Sequence, residues 1–286
     1  TSGKPKGPGL LDRKGAQISH LSDTERRRIL DEIRVAIAKD NIDEARVDVL
    51  NLLQRDSSPE AHLLAGTIYL RQGNIKGAYD HLKEATRLRS DYAEAHSKLG
   101  EIYVMVGDYK SATSTATLLS RQPDFLSDGL LLESEIALGQ GKLNQAAQKA
   151  EEAFAKAAIP PSPKQIVYMA DIHLRQGDRI KSEAWIRRID QTRLDAEGYL
   201  SLAKYYLAAA DEGKAAAYFE EALRRYPANP EVQYTYGQYL HSRRKYAEAA
   251  IYFQKAQAAL PNVQVISYHL GQSLLAAGER EKTRAL

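Results

Sequence analysis

Seven histidines, a series of carboxylates and seventeen tyrosines are the side chains in this 286-residue sequence with the widest chemical range. Imidazoles and carboxylates hold a metal or move a proton only where they converge. His62, His81, His96, His173, His241 and His269 are mostly scattered through separate segments, and His20 precedes them. There is no cysteine, so disulfides, thiolate nucleophiles and Cys-ligated zinc are excluded. No serine sits in a GxSxG elbow, and neither a P-loop nor a dinucleotide-binding glycine pattern occurs. The expectation is a protein that is not an enzyme, with no catalytic residue, no cofactor and no metal.

What remains chemically distinctive is recognition. An acidic series runs through Glu94, Glu101, Asp128, Glu135 and Asp171, with Leu131 among them, and Tyr234, His241 and Tyr268 follow further on. Those residues need elements that hold them on one face. The composition fits a soluble folded chain rich in alanine and leucine, with 43% hydrophobic and 27% charged residues. A net charge of +3 gives no reason to expect nucleic acid, which calls for a concentrated basic patch. No apolar run is long enough to span a bilayer, and the opening TSGKPKGPGL lacks an apolar signal core.

The positioning elements emerge from an internal repeat. Gly66, Gly100, Ser134, Ala170, Ala203, Gly237 and Gly271 are spaced by 34, 34, 36, 33, 34 and 34 residues. A second ladder of small residues lies twelve positions later, at Ala78, Ala112, Ala146, Ser182, Ala215 and Ala249, and reaches Thr283 next. Leu82, Ala116, Ala150, Ile186, Phe219 and Phe253 fall four after that ladder, and Ala85, Leu119, Ala153, Ile189, Ala222 and Ala256 fall seven after it. Such spacings gather side chains on one helix face, with small residues allowing close crossing. Each unit therefore reads as two antiparallel helices. Gly73, Gly107, Gly141 and Gly177 mark the turn inside a unit, and Pro59, Pro123, Pro160 to Pro163, Pro227, Pro230 and Pro261 mark the junctions.

With these residues in place, the chain resembles the tetratricopeptide repeat family. The clearest units are PEAHLLAGTIYLRQGNIKGAYDHLKEATRLRS, AEAHSKLGEIYVMVGDYKSA and PEVQYTYGQYLHSRRKYAEAAIYFQKAQAALP, and the resemblance covers residues 59 to 286. It implies an all-α fold, a right-handed superhelical solenoid of antiparallel helix pairs. Six such pairs are expected over 59–263, with an incomplete final repeat over 264–286. Residues 22–58 read as a degenerate N-terminal repeat or cap, with Ser22 and Glu25 as a capping box and Ile29, Ile33 and Ile37 on one face. Residues 1–21 read as a flexible or extended basic arm. Ile266, Leu270 and Leu274 of the last first-helix are expected to be only partly covered, leaving an edge on which a further domain or subunit packs.

The resemblance further implies that the first helix of each unit faces a concave groove through its positions two, five, nine and twelve, counted from Pro59, Ala93, Ser127, Pro163, Ala196, Pro230 and Gln264. Those positions supply the acidic series and the three C-terminal residues named above. They imply a groove for a protein or peptide partner, basic and partly apolar, bound by an interaction scaffold or assembly factor. A competing explanation holds for Glu94 and Asp128, since carboxylates in a first turn also favour the helix dipole. The clamp with which some members hold acidic C-termini is missing: Leu63 and Thr67, Ser97 and Glu101, and Tyr234 and Gln238 stand where its lysine and asparagine would be. A second implication of the resemblance is a periplasmic structural or docking segment of a bacterial secretion or exopolysaccharide-export machine. The compartment stays open between cytoplasm and periplasm.

Overall fold

A computed structural model of the chain describes residues 21–39, 41–261 and 263–279. The basic arm expected over 1–21, apart from Leu21, and the ladder position Thr283 lie outside the described residues. All the regular structure among the described residues is helical. It begins with α1 (Asp23–Ala38), α2 (Ile42–Leu53), α3 (Pro59–Arg71), α4 (Ile75–Leu88) and α5 (Ala93–Met105). It continues with α6 (Tyr109–Ser120), α7 (Leu126–Gly139), α8 (Leu143–Lys156), α9 (Pro163–Arg175) and α10 (Arg179–Ile186). The last elements are α11 (Ala196–Ala208), α12 (Glu212–Arg225), α13 (Pro230–Ser242), α14 (Tyr246–Ala259) and α15 (Gln264–Ala276). They divide between two compact units, Thr1–Leu99 and Gly100–Leu286, with the division inside α5.

In the first unit, Ser22 caps α1. Its side chain accepts from the Glu25 amide, and the Glu25 carboxylate accepts from the Ser22 amide. Leu30, Ile33 and Ile37 of α1 are buried against Ala45, Val49 and Leu52 of α2 and Leu64, Ala65 and Ile68 of α3, with Ile29 packed at the edge. The small residue Gly66 is required where α3 crosses α4, because a Cβ there would lie 2.5 Å from Leu82 Cγ.

In the second unit, α7 with α8, α9 with α10, α11 with α12 and α13 with α14 form consecutive neighbours. Two ladder positions carry serine, and both serines are fully buried. Ser134 Oγ donates to the Ala146 carbonyl at 2.7 Å and accepts from the Tyr168 hydroxyl at 2.8 Å. Ser182 Oγ donates to the Ala170 carbonyl at 2.6 Å and accepts from the Tyr205 hydroxyl at 2.7 Å. Each serine thus satisfies its own polar atom and that of a tyrosine from the next repeat, as burial demands. The left-handed residue of the intra-unit turn is glycine at 73, 107, 141 and 177, but it is Ala210 (φ 57°) and Arg244 (φ 60°) in later repeats.

Two expectations are corrected. Ile189 does not sit on a second helix, because α10 ends at Ile186. Arg188 and Ile189 then bond to carbonyls three residues back, at Trp185 and Ile186. This repeat is the one whose spacing is 33, so its second helix closes early into tighter turns. Ile266, Leu270 and Leu274 are not partly covered but buried, at 2%, 1% and 4% exposure. Leu270 and Leu274 pack with Leu240 and Phe253, on the α13–α14 side of α15. The large apolar side chains that α15 leaves exposed are Val265, Tyr268 and Leu275.

Candidate peptide-binding surface

Helical spacing places the acidic series. Asp128, Leu131 and Glu135 share one face of α7, three, four and seven residues apart, and all three are half-buried. Leu131 also packs against the core that contains Ala137, Ala146 and Met169, so it contributes an apolar wall rather than a free contact. Glu101 is half-buried on α5. Asp171 of α9 is held by Arg175, with Nε 2.7 Å from Oδ2. Glu94 stands exposed in the first turn of α5, in the first unit. There burial first, then the Glu94 charge, pushes the neighbouring Tyr92 phenol up.

The electrostatic centre of this region is a residue that the sequence reading passed over. Lys164, in the first turn of α9, extends its ammonium to within 2.7 Å of Glu197 Oε1 on α11. Burial works to lower its pKa. The hydrogen bond and charge of Glu197, with the charges of Glu101 and Glu135, outweigh that and hold the ammonium above its ordinary range. Tyr168, on the same helix, feels Glu135 and Asp171 as well. Burial chiefly raises its phenol, and those two carboxylates add to the effect. Glu101, Glu135 and Asp171, from three helices, thus act on one patch around Lys164 and Tyr168. Lys164 was visible at position two. Its reach to carboxylates of other repeats depends on how the helices stack, which the sequence does not state.

Tyr234, His241 and Tyr268 belong to a second group. The Tyr234 ring lies 5.7 Å from Phe253 and 5.6 Å from His269, and His269 lies 5.6 Å from Tyr268. His241 Nδ1 is 2.7 Å from Ser273 Oγ, and its ring meets Tyr246 edge-on at 5.0 Å. Ser273 is wholly buried, so this pairing orients the imidazole and offers no nucleophile. Burial first, then His241, pulls the His269 pKa down. A Gln amide supports Tyr234 and Tyr268 alike from one turn further along. Gln238 donates to the Tyr234 hydroxyl at 3.1 Å, and Gln272 to that of Tyr268 at 2.7 Å. Tyr268 is 61% exposed, so its ring is presented with its hydroxyl fixed.

The basic residues Arg224 and Arg225 both engage Glu221, and Arg243 engages Glu212. Among the described residues, no group of three or more His, Cys, Asp or Glu is arranged to hold a metal. No described helix is long and apolar enough to cross a membrane.

Comparison with known proteins agrees with this architecture. A TPR repeat model matches residues 57–107, and a tetratricopeptide repeat model matches residues 200–263. Residues 57–107 and 200–263 thus carry tetratricopeptide repeats. No curated protein matches the sequence. Among solved structures, a thermophilic TPR protein of Thermus thermophilus aligns with TM-score 0.55 at 21% identity, over 64% of this chain and 99% of its own. PilW, described as a widely conserved type IV pilus biogenesis factor, aligns with TM-score 0.54 at 16% identity, over 74% of this chain and 98% of its own. PilF of Pseudomonas aeruginosa aligns with TM-score 0.50 at 19% identity, over 74% of this chain and 96% of its own. At these identities the likeness is one of fold. The repeats themselves support a scaffold for protein–protein interaction.

Proposed function

We propose that the second unit binds a basic, partly apolar peptide or helix along Glu101, Asp128, Glu135 and Asp171, with Leu131 as wall and Tyr234, His241 and Tyr268 as a rigid aromatic end. The observation that carries this reading is the position of Lys164. A primary ammonium already pairs with Glu197 and feels the charges of Glu101 and Glu135, so the patch offers a lysine or arginine side chain the same field. Opposite charge steers the partner, while burial against leucine and tyrosine supplies most of the affinity. Glu94 belongs to the other unit and is left out of this surface. The chain acts as a scaffold rather than a catalyst.

An assembly role is the form of scaffold we favour, and its support is the similarity in fold to PilW, a pilus biogenesis factor. A docking segment of a secretion or exopolysaccharide-export machine is the second reading and rests on the same similarity.

A peptide array tests the proposal. Amphipathic sequences carrying lysine and arginine should be retained by the wild-type chain, and their glutamate-substituted counterparts should not. Equal retention of both sets would overturn the reading.

A further inference from the structure

His62 of α3 and His81 of α4 meet side to side in the first unit. Their Nδ1 atoms lie 3.0 Å apart, and both rings are half-buried. Tyr69 stacks on His81 with centroids 5.3 Å apart and planes 9° from parallel. Ser57 Oγ lies 2.9 Å from His62 Nε2, on the far side of that ring. This contact uses no part of the surface proposed for the peptide.

A direct Nδ1···Nδ1 hydrogen bond needs one N–H and one lone pair. The neutral pair meets that need with one proton between the two facing nitrogens. A singly protonated pair also meets it: a doubly protonated His62 donates from Nδ1 to His81 and from Nε2 to Ser57. The second proton changes the arithmetic. Both Nδ1 atoms then carry hydrogen, the bond is lost, and two cations face each other at the same distance.

The surroundings decide how readily that happens. From the segment before α3, Asp56 favours the charged form of His62, but its carboxylate already accepts from Ser58 and pairs with Arg26. From α4, Glu84 favours it too, but Arg87 grips Glu84 through two hydrogen bonds and opposes the charge on His62. Asp80 favours a charged His81. On α5, His96 donates to the Ser90 carbonyl and lines a surface recess with Asp80, Glu84 and Arg87. Desolvation dominates at both rings and lowers both pKa values, with His81 adding to the effect at His62.

We propose that the His62–His81 pair is an acid-operated latch, which ties α3 to α4 until a second proton enters and then loosens that helix pair. Because both folded values are depressed, the stabilisation is complete above the unfolded value of 6.5 and is lost as pH falls through the folded values. The groove positions Glu60, Leu63 and Thr67 ride on α3, so the latch governs how that face is presented.

Amide hydrogen exchange on the full chain tests this at about pH 7.5 and about pH 5, with α7 and α8 as internal reference because they contain no histidine. After correction for intrinsic rates, protection of α3 and α4 should drop about tenfold or more relative to the reference. His62→Gln and His81→Gln should each flatten that dependence. Unchanged protection in the wild type, or the same acid loss in both variants, would overturn the latch. If either variant misfolds at neutral pH, ring NMR of the wild type decides. Two separated steps, the second below the ordinary imidazole value, support it, and a single shared step at the ordinary value contradicts it. Zinc addition at neutral pH provides a last arm. Strong, selective protection of α3 and α4 through both rings would mean that the pair holds a cation rather than a proton.

Discussion

Ser134 and Tyr168, thirty-four residues apart, close one repeat onto the next through a 2.8 Å hydrogen bond between a fully buried serine and a half-buried tyrosine. The serine occupies a position where the neighbouring repeat has Gly100, and its hydroxyl also secures the Ala146 carbonyl. Tyr168→Phe removes one bond and should cost about 1 kcal/mol. Ser134→Ala strands the tyrosine hydroxyl as well and should cost about 1–3 kcal/mol. Chemical denaturation of both single variants and the double variant gives the check. The pair should show a coupling of about 0.5–1.5 kcal/mol, and strict additivity would mean that the bond contributes nothing.

The glycine ladder makes a sharper steric claim. Gly66→Ala places a Cβ 2.5 Å from Leu82 Cγ, and Gly237→Ala places one 2.9 Å from the Phe253 ring, both deep in helix crossings. Each should destabilise the fold by about 1–3 kcal/mol. Gly213→Ala, in the first turn of α12, meets nothing closer than Asp211 Oδ1 at 3.9 Å and should be neutral or stabilise by up to about 1 kcal/mol. Thermal melts of the three variants should separate into these two groups.

Ala210 and Arg244 occupy the left-handed turn position that glycine holds in earlier repeats. A side chain there costs about 1–2 kcal/mol, while glycine gives back part of that gain through a more flexible unfolded chain. Ala210→Gly and Arg244→Gly should therefore each raise the melting temperature slightly. A fall in both would mean that these turns carry no strain.

These turns also mark where the sequence stops being informative. Gly73, Gly107, Gly141 and Gly177 announce their turns, whereas Ala210 and Arg244 adopt the same conformation only because the flanking helices are already placed. The helix pairing was legible because crossing helices demand small residues at a fixed period. The early end of α10 was not, since losing one residue from a repeat leaves open which element shortens. Within the candidate surface, Asp128, Leu131 and Glu135 could be put on one face by counting along a single helix. Lys164 with Glu197, and His62 with His81, arise between helices. Their meeting depends on rotation and axial offset, which no spacing along the chain encodes.

Lys164 gives the binding surface an internal test. Lys164→Gln removes the resident cation from the field of Glu101, Glu135 and Glu197 and leaves the patch more negative. Affinity for a basic peptide should rise several-fold, and the gain should shrink as salt screens the exposed charges. Calorimetric titration at low and at physiological ionic strength reads both effects. An unchanged or weaker affinity would mean that Lys164 contacts the partner itself.

The most direct test of the central claim is the dissociation constant of a lysine- and arginine-bearing amphipathic peptide for the wild-type chain and for the Glu101→Lys, Glu135→Lys double variant, with folding of both checked by circular dichroism. Reversing these two charges should weaken binding by about tenfold or more at low salt, with a smaller loss at high salt. Equal affinity of a folded double variant would contradict it and remove the acidic face of the second unit from the binding surface.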